Sequence, residues 1–530
     1  MAESPLLSLA CTESRDEQCD GRERLCKHVS SQLCRYDVLS GTAGTLTIDL
    51  LPEDVLLEIF DFCKLASSSP SWGWHRLIHV SRQWRSIVFA SRHRLDLRLF
   101  CTYGTPVRKT LDCWPPLPLV IRYSDPTGHR PPSPDDDDNI IAALQHRDRV
   151  CEVELTVGSS LFAKLSSLMQ EPFPLLESLT LRPRDNNVAL ALPSTFLGPS
   201  APRLRNLCLD AIVPPVSPTF LPSSEDLVCL RLQRVPGDAY ISPDALLAGL
   251  AAMTQLKILC VQFATQTTPP YLTSTPPSPL IRRIVLPALS YFEFRGTNEF
   301  LEDLVARIGA TPSLARTYIS VFDHPAFEIP QFAQFAGRAA AQRISPCEAK
   351  ILLHKGGAFL SLSGPKGGRG SGGMGEGTPG TSGSTGTPHS TEEWLRLHVS
   401  CVELGRQVPS MAQICRQISP LLSGVRKLEI VASVTPLSPQ DVADASQWVG
   451  LFHMFGGVEK LHVSYGSVPD VARALQHVAR ERASEVLPAL RELHFDWFAS
   501  RWEEAVASFI AARHSSHPPI TFHRPKIALA

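Results

Sequence analysis

The chain has 530 residues, enough to bury a sizeable core and to hold more than one domain. Its 51 basic and 52 acidic residues leave a formal net charge of −1, which argues against a dominant electrostatic attraction to nucleic acid or an anionic membrane. No run approaches the roughly 20 apolar residues that span a bilayer, and Glu3, Glu13, Arg15 and Asp16 interrupt any signal-peptide pattern, which points to an intracellular protein of cytoplasm or nucleus.

Residues 1–46 read as a disordered or weakly structured lead-in. They carry Cys11, Cys19, Cys26 and Cys34 with His28 nearby, without the paired Cys-x-x-Cys clips of most structural zinc sites, so no metal is assigned. The remaining cysteines, Cys208, Cys229 and Cys260 among them, stand singly in apolar segments, as reduced intracellular thiols do.

Residues 47–100 predict a small helical module. Pro52 suits the first turn of a helix, and Glu53 and Asp54 favour its positive end. Val55, Leu56, Ile59 and Phe60 then share one helical face. After a turn at Ser67 to Gly73, a second stripe of Leu77, Val80, Trp84, Ile87 and Val88 follows, with Arg76, Arg82 and Arg85 off it. The Leu51-Pro52 pair, the Ile59-Phe60 pair and the Val80-Ser81…Trp84 run occur in an order that closely resembles the F-box. That resemblance covers about a tenth of the chain. It implies docking of Leu51, Pro52, Val55, Leu56, Ile59, Phe60, Val80, Trp84 and Ile87 on the Skp-type adaptor of a cullin-RING ubiquitin ligase.

Residues 101–530 contain an internal repeat. Leu176-x-x-Leu179-x-Leu181 recurs from Leu204, Leu227, Leu256 and Leu289, then after a break from Val425, Val458 and Leu490; Val150 and Trp394 begin further copies. Consecutive copies lie about 23 to 33 residues apart, the spacing of leucine-rich repeats and their longer variants. One copy cannot bury its apolar side alone, so copies must stack. Helices are expected between them at Asn139 to Arg147, Pro243 to Met253, Glu299 to Gly309, Pro439 to Met454 and Asp470 to Ala483, with Asp138, Ser242 and Ser438 as N-caps. The expected fold class is α/β: a small helical F-box followed by an irregular leucine-rich-repeat-like solenoid.

The usual Asn or Cys three residues after the last leucine is missing. Arg184, Ile212, Val235, Ala264, Thr297, Ser433, Gly466 and Phe498 stand there instead. An F-box ahead of degenerate repeats is similar to many F-box proteins expanded in fungi. Thr265 to Pro279 reads as an inserted loop, and glycine-rich Gly364 to Ser390 as a disordered insertion between a strand-like run, Ile351 to Ser363, and the strand near Trp394.

Catalytic signatures are missing from the sequence. Gly368 to Gly373 matches G-x-G-x-x-G only inside low-complexity sequence, and there is no phosphate-binding loop, H-E-x-x-H helix or nucleophile elbow. Asp135 to Asp138 reads as helix capping rather than a cation site. No catalytic residue, metal or cofactor is expected.

The F-box resemblance implies a substrate-recognition subunit that contacts the adaptor, through it cullin, and an unknown protein target. A scaffold with an F-box and repeats but no role in ubiquitination stays open from the same residues. Residues between the last two apolar positions of each copy should point outward: Thr180, Cys208, Arg231, Cys260, Glu293, Glu429, His462 and His494. Arg231, Glu293, Lys427, Glu429, Lys460, His462, Glu492 and His494 are the expected target contacts, with Arg491 adjoining.

Overall fold

A computed structural model describes residues 48, 51–66, 73–124, 133–184, 190–198, 201–215, 225–236, 241–264, 283–309, 313–322, 328–341, 345–365, 391–401, 404–432, 444–481, 485–496, 502–514 and 519–523. The cysteines of the lead-in, the Thr265 to Pro279 segment, the Ser438 cap and the Gly368 to Gly373 motif lie outside them. The chain divides into two compact units, Met1–Phe100 and Cys101–Ala530.

The first unit is helical: α1 (Glu53–Ala66), α2 (Gly73–Leu77) and α3 (Arg82–Ala90). Glu53 and Asp54 occupy the first turn of α1, and the Pro52 carbonyl accepts the Leu56 amide. Ser81 caps α3, its Oγ accepting the Trp84 amide at 3.1 Å.

The second unit is built of strands with helices between many of them. β1 (Leu99–Cys101) falls at the division, and the first part of the second unit holds α4 (Val107–Cys113), β2 (Leu119–Tyr123), α5 (Pro134–Leu144), β3 (Val150–Val157) and α6 (Ser159–Leu168). There follow β4 (Ser178–Pro183), β5 (Leu190–Ala191), β6 (Asn206–Asp210), β7 (Ile212–Val213), β8 (Cys229–Val235) and α7 (Pro243–Leu250). Next come β9 (Ile258–Phe263), β10 (Tyr291–Gly296), α8 (Asn298–Arg307), β11 (Arg316–Val321) and α9 (Pro330–Ala340). β12 (Glu348–His354), β13 (Gly357–Pro365), β14 (Thr391–Ser400), α10 (Leu404–Gln417), α11 (Ser419–Leu422) and β15 (Lys427–Ala432) continue it. The last elements are α12 (Ala445–Phe452), β16 (Lys460–Val463), α13 (Val468–Glu481), β17 (Glu492–Phe495), α14 (Glu503–His514) and β18 (Thr521–His523).

Sixteen of these strands form one sheet in the order β1-β2-β3-β4-β6-β8-β9-β10-β11-β14-β13-β12-β15-β16-β17-β18, and β5 and β7 pair separately. Parallel neighbours align like with like: Leu179 with Leu207, Leu207 with Leu230, Leu230 with Leu259 and Leu259 with Phe292. The second block repeats this, Leu428 facing Leu461, Leu461 facing Leu493 and Leu493 facing Phe522. Apart from the half-buried Phe522 these apolar residues are buried, and their side of the sheet meets helical side chains. Phe292 packs edge-on against Phe335 of α9 at 5.8 Å, and Phe294 stacks on Phe300 of α8 at 5.6 Å.

The alignment is held where each strand begins. The Glu177 carbonyl accepts the Arg205 and Asn206 amides, the Arg205 carbonyl those of Val228 and Cys229, and the Val228 carbonyl those of Lys257 and Ile258. Lys257 and Ser290 continue the series, and Cys347, Arg426 and Glu459 repeat it in the second block. A carbonyl has two lone pairs, so each step satisfies two donors with one acceptor. This backbone ladder maintains the stacking although the positions expected for an asparagine ladder hold other residues.

Several expectations are revised. The helix expected from Asn139 begins at Pro134, because Ser133 and Asp136 form a capping box there, and Asp138 falls inside it. Ser242 does cap α7, accepting the Ala245 amide at 3.1 Å. The helix expected from Pro439 is described from Ala445, where Asp444 and Gln447 form the cap. The run Ile351 to Ser363 is not one strand: it folds back at Lys355 and Gly356, and β13 runs antiparallel to both β12 and β14. Gly357 permits this turn. Its φ is +151°, and a Cβ there would meet the Val399 carbonyl oxygen at 2.1 Å. β2 and β11 are repeat strands that the leucine pattern misses, since Thr317 of β11 stands where the other copies have an apolar residue.

Gly364 and Pro365, expected to begin the insertion, instead extend β13 and pair with Glu392 and Thr391. Pro365 and Thr391, which flank residues 366–390, are therefore register partners. Replacing the intervening residues with a short Gly/Ser turn should leave the thermal midpoint nearly unchanged, because loop closure varies by only about 0.6 kcal/mol per halving of length. Differential scanning calorimetry checks this; a large fall would show that the segment packs on the sheet.

Candidate docking module and exposed sheet face

Trp84 organises the helical unit. It is 7% exposed, and its ring lies 4.7 Å from that of Phe60. Trp74 donates Nε1–H to the Arg98 carbonyl at 3.1 Å and meets Phe89 edge-on. Arg94 reaches back to Glu58 at 2.5 Å and to Asp61 at 3.5 Å. Burial, with a smaller contribution from His79, lowers the His75 pKa to about 4 and keeps its ring neutral.

The nine residues named for adaptor docking fall into two sets. Val55, Leu56, Phe60, Trp84 and Ile87 are buried within the chain, where their stripes interlock as core. Leu51, Pro52 and Ile59 are half-buried, and Val80 is 57% exposed. Ile48 is also 47% exposed, so two of the three large hydrophobics exposed among the described residues belong to this small unit. Periodicity marks both sets alike, because it reports a helical face and not what covers that face.

The sheet side away from the helices carries ordered rows of polar side chains. In one row Glu348, Lys427, Lys460, Glu492 and Thr521 are register partners in turn. In the next, Lys350, Glu429, His462, His494 and His523 align in the same way. Opposite charges pair along them: Lys427 with Glu348 at 3.5 Å, Lys350 with Glu429 at 2.8 Å and Lys460 with Glu492 at 2.9 Å. His462 Nε2 meets Asp496 Oδ1. Lys460, then His494, hold the Glu492 carboxyl below its usual range. Arg491 precedes β17 and is not in either row.

The other end of the face is similarly compensated. Arg122 meets Glu152 at 2.6 Å and Glu154 at 3.3 Å, while Arg182 lies between Glu154 and Asp210. Arg234 binds both Asp210 oxygens, at 2.6 and 2.9 Å. Midway, Gln262 and Tyr291 donate to the two oxygens of Glu293, and Arg396 lies over the Tyr318 ring at 4.9 Å. Thr180, Arg231 and Cys208 are half-buried on this side, but Cys260 is buried. Its register partners Arg231 and Glu293 have longer side chains that rise on either side of the thiol. Burial pushes the Cys260 thiol far up and Cys208 to about 11, which leaves neither as a ready thiolate.

Asp136 performs the capping expected of the acidic cluster. Its Oδ2 accepts the Ser133 amide and hydroxyl, both at 2.9 Å, and its Oδ1 accepts the Gly104 amide at 3.1 Å. His523, Lys350, Glu348 and Asp496 belong to the face but escape the leucine pattern. The apolar-His pairs Leu461-His462, Leu493-His494 and Phe522-His523 carry the signal that would have found the third histidine.

The F-box domain family matches residues 48–93, so the chain carries an F-box domain. No curated protein matches the chain. Among solved structures, the leucine-rich repeat-containing protein LegL7 from Legionella pneumophila is similar at 11% identity, over 78% of this chain and 97% of that one, with a TM-score of 0.26. A likeness this weak adds nothing to the fold described above. An F-box is an element of adaptor and scaffold proteins, not a catalytic one. Among the described residues, no helix is long and apolar enough to cross a membrane.

Two outcomes follow. Trp84→Ala should cost about 3–5 kcal/mol of stability in the helical unit, as for other buried aromatic truncations, whereas Val80→Ala should leave its denaturant midpoint unchanged. Urea unfolding followed by circular dichroism separates them. The second concerns His398, whose Nδ1 lies 2.8 Å from Ser320 Oγ and whose ring stacks on Phe359 at 4.1 Å. Burial lowers its pKa from 6.5 to about 4, with His354 and Arg295 adding smaller repulsions. The unfolded chain binds this proton first, so the stability present above about pH 6.5 is lost as pH falls towards 4. His398→Gln should flatten that part of the stability profile in denaturation series across pH.

Proposed function

We propose that the protein is a substrate-recognition subunit of a Skp–cullin–F-box type ubiquitin ligase. Its F-box docks on the Skp-type adaptor and its repeat sheet holds a protein target. The observation that carries this reading is the F-box match at residues 48–93 together with apolar side chains in that unit that the chain leaves uncovered. Leu51, Pro52, Ile59 and Val80 are the docking residues, with Val55, Leu56, Phe60, Trp84 and Ile87 supporting them from the core.

The protein forms no covalent bond to ubiquitin in this scheme. It holds a target lysine near the loaded conjugating enzyme, which raises the local concentration of the reactants. Target contact falls on the exposed sheet face at Arg231, Glu293, Lys427, Glu429, Lys460, His462, Glu492 and His494. Their varied chemistry favours recognition by a complementary polar surface. Lys427, Lys460 and Glu429 are paired within the sheet, so a target exchanges existing partners, which favours selectivity over raw affinity.

Combined Leu51→Ala and Pro52→Ala should abolish adaptor and cullin recovery in affinity purification with mass spectrometry while targets remain. Interface anchors of this kind contribute about 2 kcal/mol or more each, and both side chains are partly open, so the fold should survive. Undiminished adaptor binding by the folded double variant would exclude this docking site. Adaptor recovered without cullin would instead mark a scaffold outside the ubiquitin pathway.

The complementary outcome concerns the sheet. Lys427→Glu and Lys460→Glu with His462→Ala and His494→Ala should remove target peptides from the same purification and retain adaptor. Survival of every target in that folded variant would place recognition elsewhere.

A further inference from the structure

We propose that Glu492, His494 and His523 form a site for a divalent transition-metal ion on the last two strands of the sheet. Their ligating atoms all lie within 4.8 Å of one another. Glu492 and His494 are two residues apart on β17 and so share a face, and His523 of β18 is the register partner of His494. The two imidazoles stack in parallel, 4.1 Å apart and tilted by only 3°. Glu492 Oε2 stands 3.3 Å from His494 Nε2, while its Oε1 is held by Lys460 at 2.9 Å.

Ion-to-ligand distances of about 2.0–2.2 Å in a tetrahedral site require ligating atoms about 3.4 Å apart. The present separations close to that value by side-chain rotation, which costs little because His523 is exposed and the other two are only half-buried. Two imidazole nitrogens and a carboxylate oxygen suit Zn²⁺, Co²⁺, Ni²⁺ or Cu²⁺, not the all-oxygen shells of Ca²⁺ or Mg²⁺. His462, the third histidine of the row, is engaged by Asp496 and belongs outside the set.

Position gives the site a structural consequence. β18 has three residues and, among the described residues, forms the edge of the sheet. An ion shared between β17 and β18 cross-links that edge. Three protein ligands also leave a coordination position for water or for a side chain of a bound partner. The site stands independently of the proposed ligase role, since metal binding needs neither adaptor nor target.

The test uses the full chain, stripped with a chelator and kept reduced, with Zn²⁺ alone in calorimetry and Co²⁺ alone in absorption spectroscopy. Cys11, Cys19, Cys26 and Cys34 offer competing thiolates, which give sulfur-to-cobalt charge-transfer bands that a nitrogen–oxygen site lacks. The wild type should bind one more equivalent than His494→Ala/His523→Ala and show cobalt d–d bands that the variant loses. Glu492→Gln should weaken that equivalent about tenfold or more, at least the effect of disturbing an outer-shell partner. Zn²⁺ should also slow amide exchange in β18 of the wild type only. Should the double variant lose its fold, His523→Ala alone, at an exposed position, decides the question by the same readings. Equal stoichiometry and affinity in the wild type and a folded variant, or only thiolate-type cobalt spectra, would overturn the site.

Discussion

The backbone ladder at the strand starts is the constraint on which the repeat unit depends. At each step one carbonyl, such as that of Arg205 or Glu459, accepts two amides from the beginning of the next strand. This removes the freedom of a strand to slip against its neighbour, and a slip of one residue would turn every leucine from core to solvent. The ladder uses only main-chain groups, so it places no demand on side chains at the turns. That explains how the stacking persists with Arg184, Val235 or Gly466 where an asparagine would otherwise bond the turn.

Strict register has a consequence for the exposed face. Residues at equivalent positions become nearest neighbours, so the chemistry of a repeat is multiplied into rows. Charge alternation from one copy to the next then determines whether a row repels or pairs. Here pairing prevails, from Arg122 and Glu152 at one end to Lys460 and Glu492 at the other, and the like-charged neighbours Lys427 and Lys460 each pair on their far side with a glutamate. Exposed pairs of this kind contribute little to stability, in the range of 0–1 kcal/mol. Their larger effect is to present paired charges in a fixed geometry, with histidines accumulating where three consecutive copies carry them.

The helical unit divides its apolar residues differently. Phe60 and Trp84 pack against each other with tilted rings and consume the stripes that periodicity reveals, leaving Leu51, Pro52, Ile59 and Val80 to meet solvent. Core packing and apolar exposure are therefore carried by neighbouring positions, Ile59 on α1 and Leu51, Pro52 and Val80 just outside the helix ends. This separation makes it possible to disturb one without the other.

Much of this protein was legible in its sequence. The order of Leu-Pro, Ile-Phe and Val-Ser…Trp marked the F-box, and the recurring leucines located most strands, because both are local patterns of spacing and polarity. Ser242 was readable as a cap for the same reason, since a cap bonds only to the turn beside it. The hairpin of β12 and β13 was not legible: an unbroken apolar run is compatible with one strand or two, and the choice rests on Gly357 approaching the Val399 carbonyl of a distant strand. Nor did spacing reveal that Cys260 is buried beneath Arg231 and Glu293, or that His523 joins Glu492 and His494. Those facts depend on which strands become neighbours, so only the tertiary structure decided them, whereas the sequence by itself determined the F-box and the repeat, whose patterns are complete within a few turns of chain.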